Sequence, residues 1–120
     1  MNNRLECDEQ RDVFTICERL RGKYPEIALL YAVPNGGSRH PAEAARLKQQ
    51  GVKAGVPDMC LPVARGGYHG LYIELKRVKG GRVSEQQKQW LSALNGQGYK
   101  AVVCKGAEEA LDALQKYLKG

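Results

Sequence analysis

The chain has 120 residues, of which 42% are apolar and 27% charged, and its formal net charge is +6. This composition excludes an intrinsically disordered chain, and the length predicts a single standalone domain over residues 1–120. The longest apolar run, residues 27–33, is far shorter than the roughly 18–20 residues that cross a bilayer. Residues 1–6 also lack the apolar segment of a secretory signal, so we expect a cytoplasmic protein with no membrane partner.

The positive charge is concentrated in the middle of the chain. Residues 35–105 carry 12 basic and 4 acidic side chains, a net charge of +8, whereas residues 1–34 and 106–120 each have a net charge of −1. A basic segment of this kind indicates a polyanionic partner, nucleic acid before a membrane surface. The residues expected to contact nucleic acid are Asn35, Arg39, Lys53, Arg77, Lys79 and Arg82.

The cysteines indicate neither a zinc site nor a disulfide framework. The chain has four of them, none in a CxxC pair, and only two histidines. Zinc sites need a tighter cluster of ligands, and disulfides are rare in a chain without a secretory signal. We therefore expect buried free thiols at Cys7, Cys17, Cys60 and Cys104.

Hydrophobic periodicity in the first half of the chain predicts two helices with a strand between them. Val13, Cys17 and Leu20 recur at the spacing of one helical face, and Pro41 suits the first turn of a helix. The predicted elements are, in chain order, a helix over 5–20, a buried strand over 27–33, a turn over 34–38 and a helix over 41–50.

The second half predicts a hairpin followed by a helix, a strand and a helix. The elements are a strand over 58–63, a turn over 65–70, a strand over 71–78, a helix over 84–95, a strand over 99–104 and a helix over 107–118. A helix between the last two strands predicts a right-handed crossover to a parallel neighbour. The order of elements predicts an α/β sandwich, in which helices flank a mixed sheet of about four strands.

Three charged side chains of the hairpin form a candidate site. Because strand side chains alternate, Glu74 and Lys76 share one face, and the short hairpin can place Asp58 beside Glu74. Two adjacent carboxylates repel each other unless a cation lies between them, and oxygen ligands suit magnesium or manganese. The alternative is a half-exposed strand whose polar face carries an ordinary ion pair.

Polar residues on two of the predicted helices allow both a structural and a functional interpretation. Glu6, Glu9 and Gln10 extend the apolar stripe of the first helix, so they either approach the site or lie in solvent beyond the core edge. Gln87 stands three residues after Ser84, which is the spacing of a capping box. Gln87 also shares a helical face with Trp90 and therefore can lie near the sheet instead.

Taken together, these motifs resemble those of a known family. Pro57-Asp58 followed by Glu74-Leu75-Lys76 matches the PD-(D/E)xK nuclease signature. The wider set resembles the VRR-NUC domains, the virus-type replication-repair nucleases, over about residues 5–118. The segments that carry the resemblance are 6–10, 34–37, 55–58, 73–76, 84–87 with Trp90, and Gly98-Tyr99.

The resemblance implies a restriction-endonuclease-like fold and assigns roles to individual residues. Asp58, Glu74 and Leu75 would bind Mg²⁺ or Mn²⁺, and Lys76 would be the catalytic lysine. A glutamate of the first helix would complete the site; Glu6 is favoured, and Glu9 is its rival. Gln87 matches the family's glutamine after the catalytic strand. The turn Asn35-Gly36-Gly37 and Arg39 either contact the DNA backbone or serve as a structural turn.

The resemblance also implies an activity. We expect a metal-dependent structure-specific endonuclease of phage or prophage origin that acts as a homodimer on branched DNA, such as four-way (Holliday) junctions. One alternative is a nuclease directed to flaps or nicks. The other is a non-catalytic DNA-binding module that retains the fold.

Overall fold

The computed structural model describes residues 4–34 and 40–120, which form a four-stranded sheet with helices on both faces. The helices are α1 (Glu6–Leu20), α2 (Pro41–Gln49), α3 (Glu85–Gly96) and α4 (Gly106–Leu118). The strands are β1 (Tyr31–Ala32), β2 (Met59–Leu61), β3 (Leu71–Lys76) and β4 (Lys100–Lys105). None of the helices in these two ranges is long and apolar enough to cross a membrane.

The sheet is mixed, and its strand order follows the chain from β1 to β4. β1 pairs antiparallel with β2, and β2 pairs antiparallel with β3, placing Met59 opposite Ile73. β4 runs parallel to β3, with Ile73 opposite Val102. The predicted α/β sandwich, the hairpin and the parallel crossover are all confirmed.

One face of the sheet forms the main core. Ile73 and Leu75 of β3 lie in a buried cluster with Val13 of α1 and with Ala110 and Leu114 of α4. The opposite face is covered by α3 near β4, where the Asn95 side chain donates hydrogen bonds to the main-chain oxygens of Leu91 and Ala101 and accepts one from the Ala101 N–H. Glu74 and Lys76 therefore lie on the α3 side of β3, because they alternate with the core residues.

The predicted strand over residues 27–33 is largely wrong. Pro25–Leu29 is a 3₁₀ helix, and only Tyr31 and Ala32 pair with the sheet. The buried side chains are Tyr24, Ile27 and Leu30. They are spaced three residues apart, which is the repeat of a 3₁₀ helix, whereas a strand would bury every second residue.

The prediction of four buried thiols is correct for Cys17, Cys60 and Cys104 but wrong for Cys7, which is exposed. Cys7 lies in the first turn of α1, on the side away from Val13. Burial raises the pKa of both Cys17 and Cys104 to about 11, so these two thiols stay protonated at neutral pH.

The loop before Asp58 approaches α3 through Gly55. Gly55 has φ +93°, and a Cβ atom there would lie 2.9 Å from the main chain of Gln86. A side chain at this position would therefore force both a left-handed conformation and a steric clash. This contact holds the segment that leads to Asp58 against the first turn of α3.

Gly55→Ala is expected to lower the free energy of unfolding by about 2–4 kcal/mol, because conformational strain and overpacking add at this position. Urea denaturation followed by circular dichroism measures the change. Gly96→Ala is the matched control: Gly96 is helical with open space around its Cβ position, and alanine there should be neutral or slightly stabilising. An equal change in the free energy of unfolding for both substitutions would contradict a stabilising role of the contact between Gly55 and Gln86.

Candidate active site

The hairpin brings Asp58 and Glu74 together. Asp58 directly precedes β2, and its Oδ2 atom accepts a hydrogen bond of 2.7 Å from the main-chain N–H of Leu75. This bond fixes the Asp58 carboxylate at the edge of β3, next to Glu74. The proximity predicted from the sequence is thus present in the structure.

Glu74 is a buried carboxylate with unsatisfied bonding capacity. Its side chain is only 1% exposed, and its Oε1 atom has no hydrogen-bond partner among the described residues. Burial and the neighbouring Asp58 charge raise the pKa of Glu74 to about 8. A buried acceptor of this kind is costly unless a proton or a cation satisfies it.

Lys76 lies beside Glu74 on the same face of β3. Its Nζ atom is 3.6 Å from Glu74 Oε2, and both side chains are almost fully buried. The alternative of a half-exposed strand with an ordinary ion pair is therefore wrong, because the loop that follows β3 and α3 cover both side chains. The Lys76 amine is held next to a carboxylate pair where water access is limited.

Gln87 performs both of the functions that its sequence position allowed. Its main-chain N–H donates to Ser84 Oγ at 3.1 Å and its Oε1 accepts from the Ser84 N–H at 2.8 Å, which completes a capping box at the start of α3. The same side chain donates through Nε2 to Glu74 Oε2 at 3.3 Å. The cap thereby holds the amide in place to orient Glu74.

Gln87→Ala and Ser84→Ala separate these two functions. Each substitution removes part of the cap and is expected to cost about 1 kcal/mol of stability in urea denaturation. Only Gln87→Ala loses the hydrogen bond to Glu74. In the nuclease that the motifs resemble, where Glu74 would bind the metal, this variant is expected to slow DNA cleavage by about 10- to 100-fold. If both variants slowed cleavage equally, Gln87 would act only as a helix cap and its hydrogen bond to Glu74 would have no effect on the rate.

The structure separates the two candidate glutamates of α1. Glu6 lies near enough to raise the pKa of Glu74 by charge repulsion, although it is the weakest of the causes. Glu9 is buried away from Glu74, and its Oε2 atom accepts a 2.8 Å hydrogen bond from the N–H of Ala107 at the start of α4. Glu9 therefore caps α4 and is not solvated, and of the two glutamates Glu6 is the one that lies near Glu74.

Four of the six predicted nucleic-acid contacts can be placed. Arg77, Lys79 and Arg82 are exposed in the segment that directly follows Lys76, and Lys53 is exposed in the loop that precedes Asp58. Arg77 and Arg82 line a surface depression of about 400 Å³ together with Glu6. Asn35 and Arg39 lie outside the described residues.

A second depression, of about 810 Å³, lies between α1 and the start of α4. It is larger than the one beside Glu6, but carboxylates dominate its lining, among them Glu9, Asp12, Glu108 and Asp112. A phosphate backbone would be repelled there. The chemistry of the lining, and not the volume, therefore makes the depression beside Glu6 the better candidate for contact with a phosphate backbone.

The residues at the hairpin fit a hydrated divalent cation. Asp58 and Glu74 provide carboxylate oxygens, one of them unsatisfied, and the Leu75 carbonyl faces the same side of β3 as its N–H, toward Asp58. Within residues 4–34 and 40–120 no three acidic, histidine or cysteine side chains are grouped tightly enough to hold a metal alone. Magnesium suits such a site, because it keeps several waters and typically uses one or two carboxylates plus substrate phosphates.

Comparison with known proteins identifies the family. The family profile described as "VRR-NUC domain" matches residues 4–108. The chain belongs to the VRR-NUC family. A solved structure titled "VRR_NUC domain protein" is 34% identical, covers 99% of this chain and 92% of its own, and superposes with a TM-score of 0.85. No curated protein matches the chain.

Membership makes the chain a nuclease of the virus-type replication-repair family. The match spans every VRR-NUC motif segment quoted from the sequence, from the start of α1 through β4. The resemblance in sequence and the fold therefore agree on the family.

In this VRR-NUC chain, the sequence did not reveal the structural role of Gly81. A Cβ atom at Gly81 would lie 2.9 Å from the Cβ of Lys76, so only glycine lets the following loop pass this close over the lysine. From the sequence, Gly80 and Gly81 predict only the end of a strand. The pair of glycines four and five residues after Lys76 was the available signal for a loop that covers the lysine.

Proposed function

We propose that this VRR-NUC chain is a magnesium- or manganese-dependent endonuclease that hydrolyses phosphodiester bonds in branched DNA, such as four-way junctions. The observation that carries the proposal is the pair Asp58 and Glu74, with an unsatisfied buried oxygen on Glu74 and the buried amine of Lys76 beside it. A surface that only binds phosphate gains nothing from adjacent carboxylates. The site therefore supports hydrolysis over a non-catalytic DNA-binding module.

Each residue has a role that follows from its position. Asp58, Glu74 and the Leu75 carbonyl would hold the cation, which supplies Lewis acidity at the phosphate and lowers the pKa of a water. The Lys76 amine would stabilise the negative charge that develops on the phosphate and hold the attacking water in place. Gln87 keeps Glu74 in orientation through its Nε2 atom.

The surroundings of the site favour a DNA backbone. Arg77 and Arg82 have no carboxylate partner within 4.0 Å among the described residues, and both border the depression that contains Glu6. Unpaired guanidinium groups bind phosphates well, since they can donate two hydrogen bonds at once. A homodimer would bring two such sites to one junction and cut two of its strands.

The experiment that tests the proposed function compares four labelled substrates of matched sequence: a four-way junction, a flap, a nicked duplex and a linear duplex. The wild-type protein is incubated with each in the presence of Mg²⁺ and, separately, of a chelator. We expect metal-dependent, paired cuts in the junction and none in the linear duplex. Preferred cutting of the flap or nick would establish the alternative nuclease, and tight binding without cutting of any substrate would establish the binding module.

A further inference from the structure

A row of aromatic side chains lies on the same face of the sheet as Glu74. Tyr31 of β1 lies opposite Cys60 of β2, which in turn lies opposite Tyr72 of β3. Residues directly opposite each other share a face, and Tyr72 shares its face with Glu74, two positions further along the strand. The row Tyr31–Cys60–Tyr72 therefore lies about 7 Å behind the Asp58–Glu74 pair, given a rise of about 3.4 Å per residue.

The Tyr31 end of the row is exposed, and the Tyr72 end contacts the ring of Tyr99. Tyr31 is 49% exposed on the edge strand β1, whereas Cys60 is buried between the two tyrosines. The Tyr72 ring meets the Tyr99 ring edge-to-face, with centroids 5.4 Å apart and an interplanar angle of 78°. An aromatic ring left half-exposed on the sheet face that also carries Tyr72 offers a stacking surface that the core does not use.

The row Tyr31–Cys60–Tyr72 contains no carboxylate, so it brings no acidic side chain against a phosphate backbone. Every nucleobase has a face that stacks on an aromatic ring, which makes such a surface tolerant of sequence.

We propose that Tyr31, supported by Tyr72, stacks with unpaired nucleotides of the DNA substrate next to the scissile phosphate. The proposal rests on the proposed function for its substrate and deepens it, since it assigns to this face the unpaired nucleotides that branched DNA offers and a fully paired duplex does not. The continuity of the row with the Asp58–Glu74 pair on one sheet face favours DNA over a second copy of the chain as its occupant.

The test measures binding without cleavage. A fluorescein-labelled oligo(dT) of about 15 nucleotides and a blunt duplex of the same length are titrated in the presence of chelator, and anisotropy reports the affinity. We expect Tyr31→Ala to weaken oligo(dT) binding by about tenfold, the loss typical of one stacked base, and to change duplex binding by less than about twofold. Tyr31→Phe should bind as wild type, because the ring remains.

Two further variants control the interpretation. Tyr31→Leu keeps a bulky apolar side chain on β1 without a ring, and it should lose as much affinity as Tyr31→Ala. Tyr68→Ala removes another exposed tyrosine, in the turn at the opposite end of β3 from Glu74, and should bind oligo(dT) as wild type. Thermal melts of each variant confirm that the fold is retained.

Several results would overturn the stacking role. These are no binding of oligo(dT) by the wild type, equal affinities of Tyr31→Ala and wild type, equal losses on both probes, or a loss in Tyr31→Phe as large as in Tyr31→Ala. A change of oligomeric state of Tyr31→Ala in size-exclusion chromatography would assign the row to a second copy instead. The binding test and the cleavage test of the proposed function can fail separately. If the wild type cuts DNA but Tyr31→Ala binds oligo(dT) as the wild type does, only the stacking role is refuted. If Tyr31→Ala loses oligo(dT) binding but the wild type cuts no substrate, only the proposed function is refuted.

Discussion

Asp58→Ala is expected to slow cleavage of branched DNA by about 10³-fold or more, because it removes one of the two carboxylates that would hold the cation, and a bound ion contributes several kcal/mol of transition-state stabilisation. The affinity for DNA in the presence of chelator should change by less than about twofold, since no cationic contact to phosphate is lost. Single-turnover cleavage and fluorescence anisotropy measure the two effects separately.

Asp112→Ala provides the matched control for this loss. Asp112 lies on the exposed surface of α4, where it pairs with Lys116 at 3.0 Å. An exposed pair of this kind contributes little to stability, so the variant should cleave DNA at the wild-type rate. Cleavage by Asp58→Ala within about tenfold of the wild type would be incompatible with the assignment of Asp58 as a metal ligand.

The second large effect is a dependence of the stability of the metal-free protein on pH. The pKa of Glu74 is raised to about 8 by burial and by the Asp58 charge, from an ordinary value of 4.5. A carboxyl group whose pKa is higher in the folded than in the unfolded chain stabilises the folded state most at low pH. For Glu74 this contribution is complete below pH 4.5, declines as the pH rises and is lost above about 8. Through Glu74, the metal-free protein should therefore melt at a lower temperature at about pH 8.5 than at about pH 5.

Magnesium should reverse this loss. A bound cation satisfies the ionised Glu74, so Mg²⁺ should raise the melting temperature by about 5 °C at a saturating concentration near pH 8.5, and by less near pH 5, where protons compete for the same oxygen. Differential scanning calorimetry at both pH values, with Mg²⁺ and with chelator, gives the four melting temperatures. A larger magnesium effect at pH 5 would contradict the electrostatics of the site.

Asp58→Asn isolates the repulsion between the two carboxylates. The asparagine oxygen can still accept the hydrogen bond from the Leu75 N–H, but the charge next to Glu74 is gone. Without metal near pH 8.5 the variant should melt about 3–6 °C above the wild type, and Mg²⁺ should no longer stabilise it. An Asp58→Asn protein that melts below the wild type under these conditions would show that repulsion between Asp58 and Glu74 does not destabilise the metal-free fold.

Most of the fold could be predicted from the sequence, because its signals are local. The helix over residues 5–20 and the strand over 71–78 were each correct to within two residues, since each has a clear period and a defined end. The segment 27–33 failed because a short apolar run does not show its own period. Its burial depends on the 3₁₀ spacing of Tyr24, Ile27 and Leu30, which becomes visible only against the core.

The site was predictable in its composition but not in its environment. The spacing of Asp58, Glu74 and Lys76 on a hairpin was sufficient to place them together. The burial of Glu74 and Lys76 was not predictable, because it comes from α3 and from the loop that Gly81 allows to pass over Lys76. Local spacing allowed both positions of Gln87, at the helix cap and near the sheet, but not that one side chain takes both. The capping of α4 by Glu9 joins residues 98 positions apart, which no local pattern encodes.

The most direct test of the central claim is single-turnover cleavage of a labelled four-way junction by the wild type and by Asp58→Asn, each with Mg²⁺ and with excess chelator. The account predicts that only the wild type with Mg²⁺ cuts the junction, while both proteins bind it. Cutting that persists in chelator, or in Asp58→Asn at the wild-type rate, would contradict a metal-dependent nuclease site at Asp58 and Glu74.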